Sequence, residues 1–589
     1  MNKLTDCLRY WFSKFNFILI VFSLIFSLFY SSCNPDKKDS GFTLRIRLKE
    51  DVDCLHPIVS QSSSATQIEP LIMLPMIEYS MDKIELTPLL VLDIPRVTET
   101  NDTMTTFESD IRPEAVWDDG SPITASDYAF TVKAALNPFI KNPTWKGFLK
   151  NIVAIKLNPS QPKHLIIQIK KNYILGAEIA GNINLYPEAV YDPEKIMNKY
   201  QVADLITKDS SSWSPQELLE LQKFADAFQT AEMCKSKIAG SGPYRLESWD
   251  ASSKIVLQKK SNWWGTKIAE SISMLQSYPD RIEYLIMPDE TATILALKEG
   301  SIDLATEISP KQFNALQSDN TNQNKLQFFT PGVFQYTYLE LNTSKTSLSE
   351  PAIRNALARL IDIPGFIKNI MHGLADPIVG PIHPSRIYYN QRLKPISLNS
   401  DSAKAILQNA GWSDSNKDGI LDKKINNKLI TLSFKLLVSS ETGKKLALLL
   451  QEEAKKVGIE IKPETKEFAL ILKDLNERNF EIAALTGKQS PSLFDPYQSW
   501  HSSNAKPGGS NRCGFATSET DSLIQNIRTT KNEEERNLAY LKFQEILYIQ
   551  QPQIFLFSPK ERLIATKRIQ LEASSRRPGY LENTIRLAK

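Results

Sequence analysis

Residues 15–30, FNFILIVFSLIFSLFY, form an almost unbroken apolar run, whereas from Phe42 onward apolar and polar positions alternate at short periods. Phe42, Leu44, Ile46 and Leu48 interleave with Thr43, Arg45, Arg47 and Lys49, which predicts a half-buried strand. Residues 104–118 are β-rich and run into a turn at Asp118-Asp119-Gly120. Residues 124–136 predict a helix capped by Thr124, with Asp127 three residues on. HLIIQI at 164–169 predicts a strand, and 214–229 an amphipathic helix opened by Ser214-Pro215.

Residues 281–304 carry the most informative local pattern. Ile282, Tyr284 and Ile286 predict a strand, Asp289 caps a following helix, Gly300 ends it, and Ile302-Asp303-Leu304 resumes a strand. Such a unit implies a parallel strand pair with a right-handed crossover. Further helices are predicted over 351–361, 401–410, 441–457 and 533–549, the third with Leu446, Leu449 and Leu450 on one face. The coarse class is α/β with mixed sheets and no internal repeat.

The amino terminus follows a different rule. Lys3, Arg9 and Lys14 precede the apolar run, which as a helix spans about 24 Å, short of the roughly 30 Å of a bilayer core. Ser31, Ser32 and Cys33 follow at once. That order predicts a secretory signal over 1–32. It resembles a bacterial lipoprotein signal, in which the cysteine is lipidated, and residues 33–41 would be a polar tether. The alternative is a single-pass anchor in which Cys33 is incidental.

Composition narrows the function. Seventy Lys+Arg against 67 Asp+Glu give a net charge of +3, too small to argue for nucleic acid as a partner. Of the five cysteines, Cys7 lies in the signal and Cys33 takes the lipid, so Cys54, Cys234 and Cys513 can form one bridge at most. No His is followed by Glu, no GxSxG elbow occurs, and neither Gly-Lys pair continues as a phosphate loop. Nothing calls for an enzyme, a cofactor or a metal. Asp414-Ser-Asn416-Lys-Asp418-Gly419 imitates a calcium loop, but Ile425 stands where the closing Glu belongs.

Several segments carry a family likeness. Gly240-Ser-Gly-Pro-Tyr-Arg-Leu-Glu-Ser-Trp249 with Asn262-Trp-Trp-Gly265 resembles the signature of bacterial family 5 extracellular solute-binding proteins. These are the oligopeptide, dipeptide and nickel binding group that serves ATP-driven importers. Val116 to Tyr128, Lys298 to Asp303, Ile353 to Leu357, Ala410-Gly-Trp412, Asn511 to Asp521 and Gln551-Pro552 fit the same likeness in chain order. Gly240, Gly242 and Pro243 read as the entry to a strand, with Gly permitting close backbone approach. Trp117, Trp249 and Trp263 read as packing residues, and Asp127 as a helix cap.

The resemblance implies a two-lobed periplasmic-binding-protein fold of type II with three subdomains and a hinge. Residues 42–75, 236–335 and 551–589 would make one lobe, 76–235 its accessory subdomain, and 336–550 the second lobe. It also implies capture of peptides or a related small solute, without catalysis, by an exported monomer lipid-anchored to a cell membrane, inner or outer, with its body facing the periplasm or cell exterior. ABC permease and ATPase subunits would be its partners. Alternatives are a tethered sensor signalling to a partner protein and a binder of a nickel chelate or other non-peptide solute.

In the family's peptide binders an Asp three residues before an Asp-Pro pair holds the ligand's ammonium. Here the pair is Asp495-Pro496, and the anchoring position is Ser492, which carries no charge. Either Asp495 takes over, or the ligand lacks a free amino terminus, or it is no peptide. Lys488, Tyr497 and Trp500 in the same segment are further candidate ligand contacts, and Tyr284, near the expected hinge, is another.

Overall fold

The computed structural model describes residues 41–81, 84–209 and 211–589, and Leu44–Lys589 make one compact unit. The signal expected over 1–32, the lipid site at Cys33 and the tether up to residue 40 lie outside the described residues. No described helix is long and apolar enough to cross a membrane.

Among the described residues one sheet has seven strands, with Thr43–Leu48 at its centre. Leu44, Ile46 and Leu48 are buried as their alternation predicts, but so is Arg47. Its Nε donates to the Met287 carbonyl and its Nη1 to the Thr306 carbonyl, both at 2.9 Å. Those carbonyls stand in for water and make the burial tolerable.

The unit over 281–304 forms as Arg281–Ile286, Glu290–Glu299 and Leu304–Ala305, with Asp289 Oδ1 accepting from Ala292 N and Gly300 closing the helix at φ +75°. Its two strands do not pair with each other. Thr43–Leu48 is inserted between them and takes the parallel partnership, Ile46 opposite Leu304. Asp303 locks the arrangement by accepting from Arg45 N and Arg568 Nη1.

Gly240 and Gly242 run against the end of the helix Ala65–Ile72. Gly242 N donates to the Ile72 carbonyl at 2.8 Å, and a Cβ on Gly240 would collide with that same oxygen. A four-stranded subdomain (Arg96–Thr100, Met104–Asp110, His164–Lys170, Ile152–Lys156) follows the same half in sequence. Its helix Ala125–Leu136 is capped by Thr124, whose N and Oγ1 both donate to Asp127 Oδ2. Cys54 and Cys234 form a disulfide, and Cys513 is free and buried.

The second large sheet has six strands, ordered Ala375–Pro377, Gln553–Pro559, Gln335–Leu341, Ile482–Lys488, Ser433–Val438, Glu460–Thr465. The strand Gln553–Pro559 therefore belongs here, so the return to the first sheet falls after Pro559 and not at residue 551. Register decides this: Leu339 faces Ile554 and joins it in one buried core. The helix Glu441–Lys456 covers that core with Leu446, Ala447, Leu450 and Ala454, whereas Leu449 is exposed, about a third of a turn off the buried stripe.

Two connections join the sheets, Phe329 to Gln335 and Pro559 to Leu563, and they pass side by side. Gly332 bridges Lys560, and Glu561 N donates to the Pro331 carbonyl at 2.9 Å. The loop at Asp414 closes on itself, its carboxylate accepting from Asp418 N and Gly419 N. Among the described residues no three His, Cys, Asp or Glu side chains converge to hold a metal.

Candidate ligand cleft

A cleft of about 640 Å³ lies between the accessory subdomain and the six-stranded sheet. One wall comes from Tyr79, Tyr173 and Glu178, the other from Arg386, from Lys488 at the end of the strand Ile482–Lys488, and from the residues that follow it up to Asp495. That following loop has no regular structure, so side chains must fix it. Arg386 Nη2 donates to the carbonyls of Ser490, Pro491 and Ser492 at 3.1, 2.6 and 3.0 Å. Its guanidinium packs over Phe334 at 4.5 Å. Tyr388 Oη accepts from Phe494 N, and Tyr540 Oη donates to the Phe494 carbonyl.

The loop delivers Asp495 to the opposite wall. Its Oδ1 accepts from Tyr497 N at 2.9 Å, and its Oδ2 accepts from Tyr173 Oη at 2.7 Å and Arg528 Nε at 3.0 Å. Arg528 is sandwiched between the rings of Tyr173 and Tyr497, 4.8 and 4.2 Å away. Burial opposes the guanidinium charge, yet Asp495 and Tyr173 hold its pKa above the ordinary value. Burial and then Asp495 raise the Tyr173 phenol, so it remains a donor. One further bond ties the same two walls, Ile174 N to the Arg528 carbonyl at 2.9 Å.

Of the residues expected at the site, Lys488, Ser492 and Asp495 line the cleft. Desolvation, then the charge of Arg577, lower the Lys488 ammonium. Asp495 lines the cleft but already has its cation. Tyr497 stands behind the wall as one of the plates around Arg528. Trp500 is 1% exposed and packs on Phe543 and Phe555, inside the core of the second half. Tyr284 is fully buried in the first sheet. Burial and the nearby Glu582 raise its phenol. Both corrections have one cause: an aromatic in a short apolar segment gives no sign of which face it turns to a core.

Sequence reasoning missed Tyr173, Glu178, Arg386 and Arg528. For three of them no local signal exists, because their partners lie 33 to 322 residues away. Glu178 left a trace: it is the one charged residue in the helix Gly176–Gly181, GAEIAG.

Comparison with known proteins places this geometry. The model of "Bacterial extracellular solute-binding proteins, family 5 Middle" matches residues 85–511. The chain belongs to that family. Among its relatives is the oligopeptide-binding protein AppA of Bacillus subtilis, 25% identical over 368 residues, which are 62% of this chain and 64% of AppA. A probable D,D-dipeptide-binding periplasmic protein of Escherichia coli, DdpA, is 27% identical over 56% of this chain and 59% of its own length. The matched segments thus span about three fifths of these two relatives.

Solved structures extend the likeness to the whole fold. AppA from Bacillus subtilis in complex with a nonapeptide superposes with a TM-score of 0.73 at 20% identity, covering 93% of this chain and 99% of that one. NikZ from Campylobacter jejuni in complex with Ni(L-His) gives 0.70 at 20% identity, covering 91% and 96%. The fold is that of the type II periplasmic binding proteins, and the relatives are named as binding proteins rather than enzymes.

Proposed function

We infer that this chain captures a peptide or related small solute between its two halves and presents it to the permease of an ATP-driven importer. Lipid on Cys33 would hold it to the membrane, with the body exposed to the periplasm or cell exterior. The sheet-centred halves would be the moving lobes, with the paired connections near Gly332 and Lys560 as hinge. One observation carries the reading: the cleft is walled by both halves, and Tyr173 of one wall donates to Asp495 of the other. Only contacts made in the closed form alone shift the population toward it, and a shared cleft lets a ligand supply them. Relatives named for oligopeptide and dipeptide binding support the class of ligand.

The test is native mass spectrometry of the full chain, purified in detergent from a peptide-rich host and then denatured to release whatever it carries. A ladder of short peptides of mixed sequence is expected. A single non-peptide mass, such as a nickel chelate, would sink the peptide reading while leaving solute capture intact. Mass labelling of Cys33 with diacylglycerol, lost in Cys33→Ser, tests the anchor.

A further inference from the structure

Two carboxyl side chains line the cleft, Glu178 and Asp495. They are not equivalent. Asp495 has its charge compensated by Arg528 at 3.0 Å. Glu178 sits on the opposite wall, 7% exposed, and its Oε1 accepts from Tyr79 Oη at 2.5 Å. Among the described residues no Lys, Arg or His forms an ion pair with it. Burial raises its pKa against the help of that hydrogen bond. A carboxylate held this way gains a great deal from a cation that arrives with its own donors.

The facing wall has the opposite imbalance. Arg386, Lys488 and Arg512 line the cleft and none forms an ion pair among the described residues. Arg386 spends only Nη2 on the loop carbonyls, and Arg512 reaches no nearer acceptor than Asn476 Oδ1, 3.4 Å from its Nη2. Beside its apolar lining, which includes Phe148, Leu175 and Ile382, the cleft therefore carries a carboxyl without an ion-pair partner on the accessory wall and three cations without one on the other.

We propose that Glu178 receives the ammonium of the ligand, in place of the charge absent at Ser492, and that the ligand's anionic end turns to the Arg386, Lys488 and Arg512 wall. This rests on the peptide reading above and fixes the ligand as a zwitterion with a free amine. It also accounts for closure, because one end of the ligand is held by each half and neither half alone satisfies both charges. The usual anchor lies in the loop of the second half; here the ammonium is handed to the first.

The test offers the full chain in detergent equal amounts of a tryptic casein digest, one portion untreated and one amine-acetylated, and reads the retained masses by native mass spectrometry. Wild type is expected to retain free-amine peptides about tenfold or more over acetylated ones, and E178Q to lose that preference. Equal retention by wild type, or an undiminished preference in E178Q, overturns the proposal while peptide binding stands. Retention of no peptide from either portion overturns the peptide reading and this proposal together. A second measurement avoids any variant: carbodiimide treatment of peptide-loaded wild type should form an amide between Glu178 and the peptide amine. Coupling to other carboxyls only, or to none, overturns the assignment.

Discussion

Tyr173 Oη donates to Asp495 Oδ2 at 2.7 Å across the cleft, and Arg528 Nε donates to the same oxygen from behind. The carboxylate is thus both the end of an ion pair within one half and the acceptor of a hydrogen bond from the other. Tyr173→Phe removes this side-chain bond between the halves and leaves both the ion pair and the backbone bond from Ile174 N to the Arg528 carbonyl. A hydrogen bond to a charged group contributes about 1.5–3 kcal/mol, so ligand affinity should fall about tenfold or more with the fold unharmed. Calorimetric titration with a co-purified ligand checks it, and unchanged affinity would remove the contact from closure.

Asp495→Asn should behave differently. It strips the compensating charge from Arg528, whose side chain is 12% exposed. Breaking such a pair from one side costs about 3–5 kcal/mol, so this variant should lose stability as well as affinity. Denaturant titration of both variants separates the two roles. Equal stability of Asp495→Asn and Tyr173→Phe would mean that the ion pair holds nothing together.

The disulfide Cys54–Cys234 closes a loop of 180 residues around the whole accessory subdomain. Loop-closure entropy for that span sets an upper figure of about 5 kcal/mol, with about 2–4 typical. Cys54→Ser should lower unfolding free energy by an amount in that range without changing ligand affinity, since neither cysteine lines the cleft. Full-strength folding of the variant would show that the subdomain needs no staple.

Gly240 has no room for a side chain, because a Cβ there meets the Ile72 carbonyl. Gly240→Ala must push the helix Ala65–Ile72 or the strand entry aside, at about 1–3 kcal/mol. Gly300, with nothing near its Cβ position but φ at +75°, should lose only about 1 kcal/mol as Ala. A thermal shift equal in both variants would refute the distinction between crowding and backbone strain.

What was legible in the sequence is what local chemistry decides. Thr124 with Asp127, Ser214 with Pro215, and Asp289 with Gly300 bound their helices where the pattern placed them, because a cap needs only neighbours. The close approach at Gly240 and Gly242 was legible too. What required the third dimension was partnership: which strand enters between Arg281–Ile286 and Leu304–Ala305, which carbonyls receive Arg47, and which cation Asp495 already holds. Periodicity also misjudged Leu449, since a helix stripe is only as wide as the surface it covers. The departure of Ser492 from the family's acidic position was visible through the resemblance, but nothing in the spacing pointed to Glu178, 314 positions earlier in the chain.

Stability should fall as pH rises from 5 to 8. Burial pushes Glu340 and Glu582 up to about 7 and Glu69 up to about 8, from an ordinary 4.5. Each therefore keeps in the folded state a proton that the unfolded chain releases above about pH 4.5, so its contribution is full below that pH and lost as pH passes the folded value. His56 acts in the other direction: burial lowers it to about 3, so the unfolded chain takes up an extra proton below about 6.5. Three carboxyls outweigh one imidazole between pH 5 and 6.5, and above 6.5 the imidazole no longer counts. Glu340 can be isolated because Gln553 Nε2 lies 3.1 Å from both its oxygens while Gln553 Oε1 has no partner, and a protonated Glu340 can donate to that oxygen once the amide turns over. Glu340→Gln should flatten the pH dependence by about one proton, about 1.4 kcal/mol per pH unit between pH 5 and 7. Denaturant unfolding at pH 5, 6 and 7 reads it directly, and parallel curves for variant and parent would mean that Glu340 is ionised in the folded protein.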